Sequence, residues 1–206
     1  SHVAMAMRMM DDIIDLELEK VELIINKIAA DPEDEDIRRV ELELWKKIRT
    51  MARKGRRTGL GITAEGDMLA ALGLRYGTPE ATAFAVKVQK TLALEAYRAS
   101  VKMAAERGAF EIFDARKEEK NPMIGRIREA DPELYAEMVK HGRRNIAMLT
   151  IAPTGTTSLM SQTTSGIEPV FRPVYKRRRK INPSDQDAKV AFVDDMGEKL
   201  SLIHIS

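Results

Sequence analysis

The 206 residues are 44% hydrophobic and 32% charged, which suits a globular, helix-rich chain able to bury a core in one or two domains. A formal net charge of +2 is too small to argue for nucleic acid as a partner, and the absence of cysteine excludes a disulfide framework and a cysteine-ligated zinc site. No run approaches the roughly eighteen apolar residues of a membrane span and no secretory signal is visible, so a cytoplasmic location is the expectation.

The first element is a long helix. Met10, Ile13, Ile14, Leu18, Val21, Ile24, Ile25 and Ile28 recur at three- and four-residue spacing until Asp31-Pro32 ends the pattern. The chain enters this helix with no capping residue in view. The acidic run Glu33 to Asp36 starts a second helix, with Val40, Leu44, Ile48 and Met51 as its apolar stripe and Trp45 beside it. Acids in a first turn suit the helix dipole. A hard-cation site would need ligands converging from several loops, so these acids read as structural and no metal site is expected.

A short strand over 60–63 leads to a helix over 65–72. Thr78 as N-cap, Pro79 at the first helical position and Glu80 in the first turn then start the longest helix. Its stripe is Ala81, Phe84, Val88, Leu92, Ala96, Ala99 and Met103, and Gly108 ends it. Pro132-Glu133 opens another helix through Leu134, Tyr135, Met138 and Val139, closed by His141-Gly142. His141 there reads as a helix-end residue facing the last carbonyls, with a catalytic role as the alternative. The twelve methionines fall mostly on apolar stripes and read as core filler.

The most informative stretch is Asn145 to Lys180, NIAMLTIAPTGTTSLMSQTTSGIEPVFRPVYKRRRK. The apolar run Ile146 to Ala152 suits a strand buried on both faces, as in a parallel sheet. It stops at Pro153 and passes through Thr154, Gly155, Thr156, Thr157 and Ser158 into a helix start at Leu159-Met160. Strand, tight turn and helix N-terminus can hold a phosphate with free backbone N–H groups, the helix dipole and hydroxyl donors. The alternative is a plain strand-to-helix turn with Thr156 or Thr157 as N-cap. No Gly-Lys-Ser/Thr ending is present, so a Walker-type loop is excluded.

These residues resemble the catalytic (large) subunit of ribonucleotide reductase. The similarity rests on TIAPTGTTS, then TSGIEPVF and YKRRRK, and upstream on Gly55 to Thr63 (GRRTGLGIT), AEGDMLAALGLRYG, LALEAYRASVKMAAERGAF and His141 to Asn145 (HGRRN). The wording is closest to the adenosylcobalamin-dependent class. The alternative within the family draws its radical from a separate metallo-subunit. The resemblance implies an α/β fold: a helix-rich part of a ten-stranded α/β barrel, second half, over residues 1–198. It also implies Pro153, Thr154, Gly155, Thr156, Thr157 and Ser158 as the substrate-phosphate-binding loop. A ribonucleotide substrate, a thiol reductant, a homodimeric parent and contact with the remainder of the parent chain are implied as well.

The family works through a thiyl radical on a loop cysteine and a separate cysteine pair that supplies electrons. This chain has no cysteine, so no catalytic residue is assigned and an internal piece of a larger enzyme is the expectation. Unpaired sheet edges in such a piece predict poor solubility. Residues 199–206 (KLSLIHIS) leave the family's pattern and read as a non-native tail, with a short amphipathic strand as the alternative. The basic run over 172–180 has six cations in nine residues: Arg172, Lys176, Arg177, Arg178, Arg179 and Lys180. A solvated surface loop is the reading for it. A nucleotide- or nucleic-acid-binding module is the rival, weakened by an aromatic share of only 5%. Glu168 reads as a turn residue because no partner acid or histidine lies near it in sequence.

Overall fold

Ser1 opens α1 (His2–Ala30) by accepting a hydrogen bond from the Ala4 amide at 3.3 Å. The helix expected to begin uncapped therefore has a cap. In the computed structural model, residues 1–172, 175–182, 184, 189–193, 195–196 and 199–205 are described. The buried stripe of α1 is Met7, Asp11, Ile14, Val21, Ile25 and Ile28, so one acid sits in the apolar phase of the helix.

Helix α2 (Glu35–Gly55) folds back on α1, with Asp34 as cap accepting from the Asp36 amide at 2.9 Å. The expected stripe is only partly the contact face. Ile48 is half-buried, together with Leu42, Trp45 and Ala52, whereas Val40, Leu44 and Met51 are exposed. The face turned inward also carries Arg49, which reaches Glu22 of α1 at 2.9 Å, and Arg53 reaches the same carboxylate at 3.3 Å. Long arginine stems cover apolar surface while their heads pair, so a mixed face takes the contact that an apolar count assigns elsewhere.

Helix α3 (Glu65–Ala71) follows, then α4 (Pro79–Arg107) with Thr78 as cap and Gly108, at φ 88°, as its end. Both lie where the sequence puts them. A 3₁₀ turn (Ala115–Glu118) leads to α5 (Pro122–Ala130) and α6 (Pro132–His141). Asn121 and Asp131 cap these two helices, and each is followed by a proline at the first helical position. The core runs between α1, α4, α5 and α6, through Met7, Ala96, Tyr97, Met103, Ile124, Ile127, Leu134, Met138 and Met148. Each fully buried methionine, isoleucine or leucine among them contributes on the order of 1.5–3 kcal/mol.

Met148 ties the core to a parallel pair of extended segments. The Ile146 amide donates to the Gly55 carbonyl at 2.8 Å, Thr58 to Ala147 at 2.9 Å, Leu60 to Met148 at 2.7 Å, and Thr150 to Leu60 at 3.0 Å. Bonds that alternate in this way, with a parallel bridge at Leu60 and Leu149, are a parallel ladder. Neither predicted strand forms over its expected length: Leu60 and Leu149 make an isolated bridge, and the paired stretch is 55–60 against 146–150, with no ladder bond at 61–63 among the described residues. The run over 146–152 is not buried on both faces: Met148 is buried, while Thr150 is exposed and Ile151 is 59% exposed. One strand and the helices cover one side only.

Helix α7 (Gly155–Ser161) comes next. Strands β1 (Tyr175–Lys180), β2 (Phe192–Val193) and β3 (Lys199–Ile205) then form an antiparallel sheet in the order β1-β3-β2. The basic run is therefore a strand over most of its length and not a surface loop. Its ladder partner is the segment over 199–205, with Arg178 opposite Leu202 and Lys180 opposite Leu200. The boundary that the sequence sets at Glu198 lies outside the described residues, as do the side chains of Lys176, Arg177 and Arg179. No helix among the described residues is long and apolar enough to cross a membrane.

Candidate functional site

The segment Pro153 to Ser158 forms the expected turn into a helix N-terminus, at the end of the 146–152 run. Two tight bonds make the turn: Thr154 amide to Ala152 carbonyl at 2.9 Å, and Gly155 amide to Pro153 carbonyl at 2.8 Å. The Ser158 amide donates to the Thr154 carbonyl at 2.9 Å. Of the four amides from Gly155 to Ser158, those of Gly155 and Ser158 are thus engaged, and those of Thr156 and Thr157 have no partner among the described residues.

The hydroxyls divide in the same way. Thr154 Oγ1 is turned inward to the Ser165 carbonyl and lies 2.5 Å from Thr63 Oγ1. Ser158 is 8% exposed and donates to the Gly155 carbonyl at 2.7 Å. Pro153, Gly155, Thr156 and Thr157 face solvent. Of the loop's amides and hydroxyls expected to hold a phosphate, only those of Thr156 and Thr157 stay open, on residues exposed to solvent. Thr154 and Ser158 instead fasten the loop from behind.

That fastening brings in residues the sequence reading passed over. The Thr63 hydroxyl donates to the Ser165 carbonyl at 2.5 Å, the Thr164 amide to Asp67 Oδ2 at 2.8 Å, and the Glu65 amide to the Gly166 carbonyl at 3.2 Å. The SGIEP turn therefore lies over the start of α3, and Glu168 is an exposed turn residue with Oε1 3.5 Å from Ser165 Oγ. The available signal was position: Thr63 ends one predicted strand, and Pro153 follows the other. Beside the loop a groove of about 1050 Å³ opens between α3, α4, α5 and the strand, lined by Leu69, Ala85, Leu94, Ile127, Leu149 and Ile151.

A second polar constellation lies under the parallel pair. Asp11 is 0% exposed and receives Arg56 Nε at 2.9 Å, Asn145 Nδ2 at 3.0 Å and Arg144 Nε at 3.2 Å, with Arg107 at 3.6 Å. Burial by itself pushes this carboxyl up. The bonds and charges of Arg56 and then Arg144 outweigh it, and Asp11 sits below the usual carboxylate range. Asp12 and Asp15 lie close enough to share a cation with Asp11. Arg107 pairs with Asp12 at 2.7 Å and Arg56 with Asp15 at 2.7 Å, so these acids are an ion-pair cluster. His141 ends α6 and faces Glu137 at 3.4 Å, in the helix-end position expected of it.

A loop open at two amides thus stands at the end of one extended segment of a parallel pair, in a helix-rich chain. The chain belongs to the ribonucleotide reductase family: residues 1–198 match the family described as "Ribonucleotide reductase, barrel domain". It is similar to the vitamin B12-dependent ribonucleoside-diphosphate reductase of Mycobacterium tuberculosis H37Rv, 36% identical over 127 residues, which are 61% of this chain and 15% of that protein. The protein of the same name from Thermoplasma acidophilum is 33% identical over 142 residues, 69% of this chain and 16% of that protein. The ribonucleoside-diphosphate reductase subunit alpha of Treponema pallidum is 30% identical over 134 residues, 61% of this chain and 15% of that protein. The chain thus spans only about one sixth of the length of these relatives.

Proposed function

We propose that this chain is the phosphate-binding part of a ribonucleotide reductase catalytic chain, from the second half of its ten-stranded barrel. The parent enzyme makes deoxyribonucleotides for DNA synthesis. The observation that carries this reading is the pair of open amides at Thr156 and Thr157, preceded by a glycine the fold itself does not require. A Cβ built on Gly155 meets nothing within 4 Å, and its φ is not positive. What remains is close approach of something from outside, and anions favour a helix N-terminus.

Adenosylcobalamin is the cofactor proposed for the parent, since relatives from two organisms carry vitamin B12 dependence in their names. No motif of this chain is assigned to hold it, and His141 stands at the end of α6 beside Glu137. No step is assigned to it through these residues. What this chain does is hold a phosphate group at Thr156 and Thr157 and fix the loop through Thr63, Thr154 and Ser165. The exposed Ile151, Leu159 and Met160 and the open groove beside α4 are surfaces for the remainder of the parent chain to cover.

Phosphate contacts position a substrate without reading its base. In a complete reductase carrying this loop, Gly155→Val raises KM for all four ribonucleotides together, because the added side chain stands where the anion approaches. An effect confined to one base would place the loop in specificity control and overturn the assignment. The chain by itself, with no cysteine, yields no deoxynucleotide when incubated with adenosylcobalamin, a dithiol and a ribonucleoside di- or triphosphate. Product above background would refute the division of labour proposed here.

A further inference from the structure

Asp11 lies between Met7 and Ile14 on the buried face of α1. A carboxylate there is costly unless paired and hydrogen-bonded. Its partners are placed in a telling way. Arg56 stands just before the first extended segment of the parallel pair, and Asn145 just before the second. The same oxygen, Oδ1, accepts from Arg56 Nε at 2.9 Å and Asn145 Nδ2 at 3.0 Å. Asn145 Nδ2 also reaches the Arg56 carbonyl at 3.0 Å, and Arg56 Nη2 returns to the Asp11 carbonyl at 2.9 Å.

Helix α4 closes the arrangement. Ser100, 0% exposed, donates its hydroxyl to Asn145 Oδ1 at 2.9 Å and accepts from the Asn145 amide at 3.1 Å. The ladder begins at the next residue, with the Ile146 amide on the Gly55 carbonyl. Arg57, the neighbour of Arg56, is exposed, so the buried place is specific to one arginine of the pair.

We propose that Asp11 is the positioning residue of the phosphate loop, holding Arg56 and Asn145 at one point and thereby setting the register of segment 58–60 against segment 147–150. This rests on the reading of Pro153 to Ser158 as a phosphate cradle. A slip of one residue in a strand turns every side chain to the other face. It would lift Met148 out of the core and part Thr154 from Thr63, and the loop would lose its backing.

The test uses the full chain with Asp11→Asn, which keeps the shape and removes the charge, and Asp12→Asn as a control at the exposed neighbour. Amide exchange of Thr58, Leu60 and Thr150 reports the ladder, and Val101 and Met138 report the helical core. Asp11→Asn lowers protection of the three ladder amides at least about tenfold relative to the two core amides. Inorganic phosphate titrated against the Thr156 and Thr157 amide resonances binds about tenfold more weakly to this variant. A uniform loss of protection across ladder and core would overturn the proposal and leave Asp11 a merely stabilising residue. If Asp11→Asn does not fold, Ser100→Ala removes the far end of the same network. The same ladder-selective loss is then expected, and a uniform one overturns the proposal. If phosphate leaves the Thr156 and Thr157 resonances of the unaltered chain unmoved, the cradle reading fails, and the exchange data alone decide whether Asp11 sets the register.

Discussion

Arg143→Leu lowers the stability of the chain by about 3–5 kcal/mol, read as a lower urea midpoint with an unchanged slope. The arginine side chain is 3% exposed and forks onto Glu118, with Nη2 2.6 Å from Oε1. Its Nε and Nη2 also donate to the Asn145 and Ile146 carbonyls, both at 3.1 Å. Its plane lies among three rings, 5.8 Å from the centroid of Tyr97, 5.4 Å from Phe110 and 5.8 Å from Phe113. Leucine fills some of the volume but leaves a half-buried carboxylate and two carbonyls without donors, which is the costly way to break such a pair.

Two further variants separate charge from shape. Arg143→Lys keeps the charge and loses the fork and the stacking, so its cost is intermediate. Arg143→Leu combined with Glu118→Leu recovers much of the loss, because no carboxylate is then left unpaired. A double-mutant cycle with no coupling between the two positions would show that Glu118 does not contribute to the effect. Arg143 also bonds the entry of the second extended segment, so its loss loosens the strand that leads to the loop.

The parts of this fold legible in the sequence are those set by local chemistry. Thr78-Pro79 announces a helix through a capping oxygen and a fixed φ that act within one turn, and Pro132-Glu133 through the proline and first-turn acid. The same signal, Asn121-Pro122, marks α5, which periodicity alone passed over because the helix has only nine residues. The face of α2 was harder. It carries apolar residues on two sides, and the choice between them depends on Glu22 of another helix. The strand over the basic run gave no alternation to read, since its consecutive cations hide the period of two.

The site was legible in outline and not in wiring. The glycine and threonines marked the loop, but its fastening depends on Thr63, Asp67 and Ser165, with contacts that span from 11 to 102 residues. Asp11 left one trace: an acid in phase with Met7 and Ile14 on an otherwise apolar face. Its partners, Arg56 and Asn145, lie 45 and 134 residues away. Each stands within a motif that the family resemblance singled out, yet only folding shows that the two motifs meet at one carboxylate.

Two helical glycines respond to alanine in opposite ways, and the contrast separates fold from function at this site. Gly66 lies in α3, where alanine has the better helix propensity by about 1 kcal/mol. A Cβ there would stand 2.5 Å from Pro169 Cα, 2.7 Å from Pro169 N and 2.8 Å from the Glu168 carbonyl carbon. All three are backbone atoms, so the SGIEP turn must lift from α3 and release the Gly166 carbonyl from the Glu65 amide. Gly66→Ala therefore destabilises the chain by about 1–3 kcal/mol despite its propensity, with faster exchange at Glu65. Gly155 opens α7 with nothing within 4 Å of its Cβ direction and no positive φ. Gly155→Ala leaves stability unchanged or raises it by no more than about 1 kcal/mol, while phosphate binding at Thr156 and Thr157 weakens. A Gly155→Ala chain that binds phosphate as well as before would show that the anion does not approach this backbone. The glycine would then be an ordinary helix-start residue, and the cradle would have to lie elsewhere.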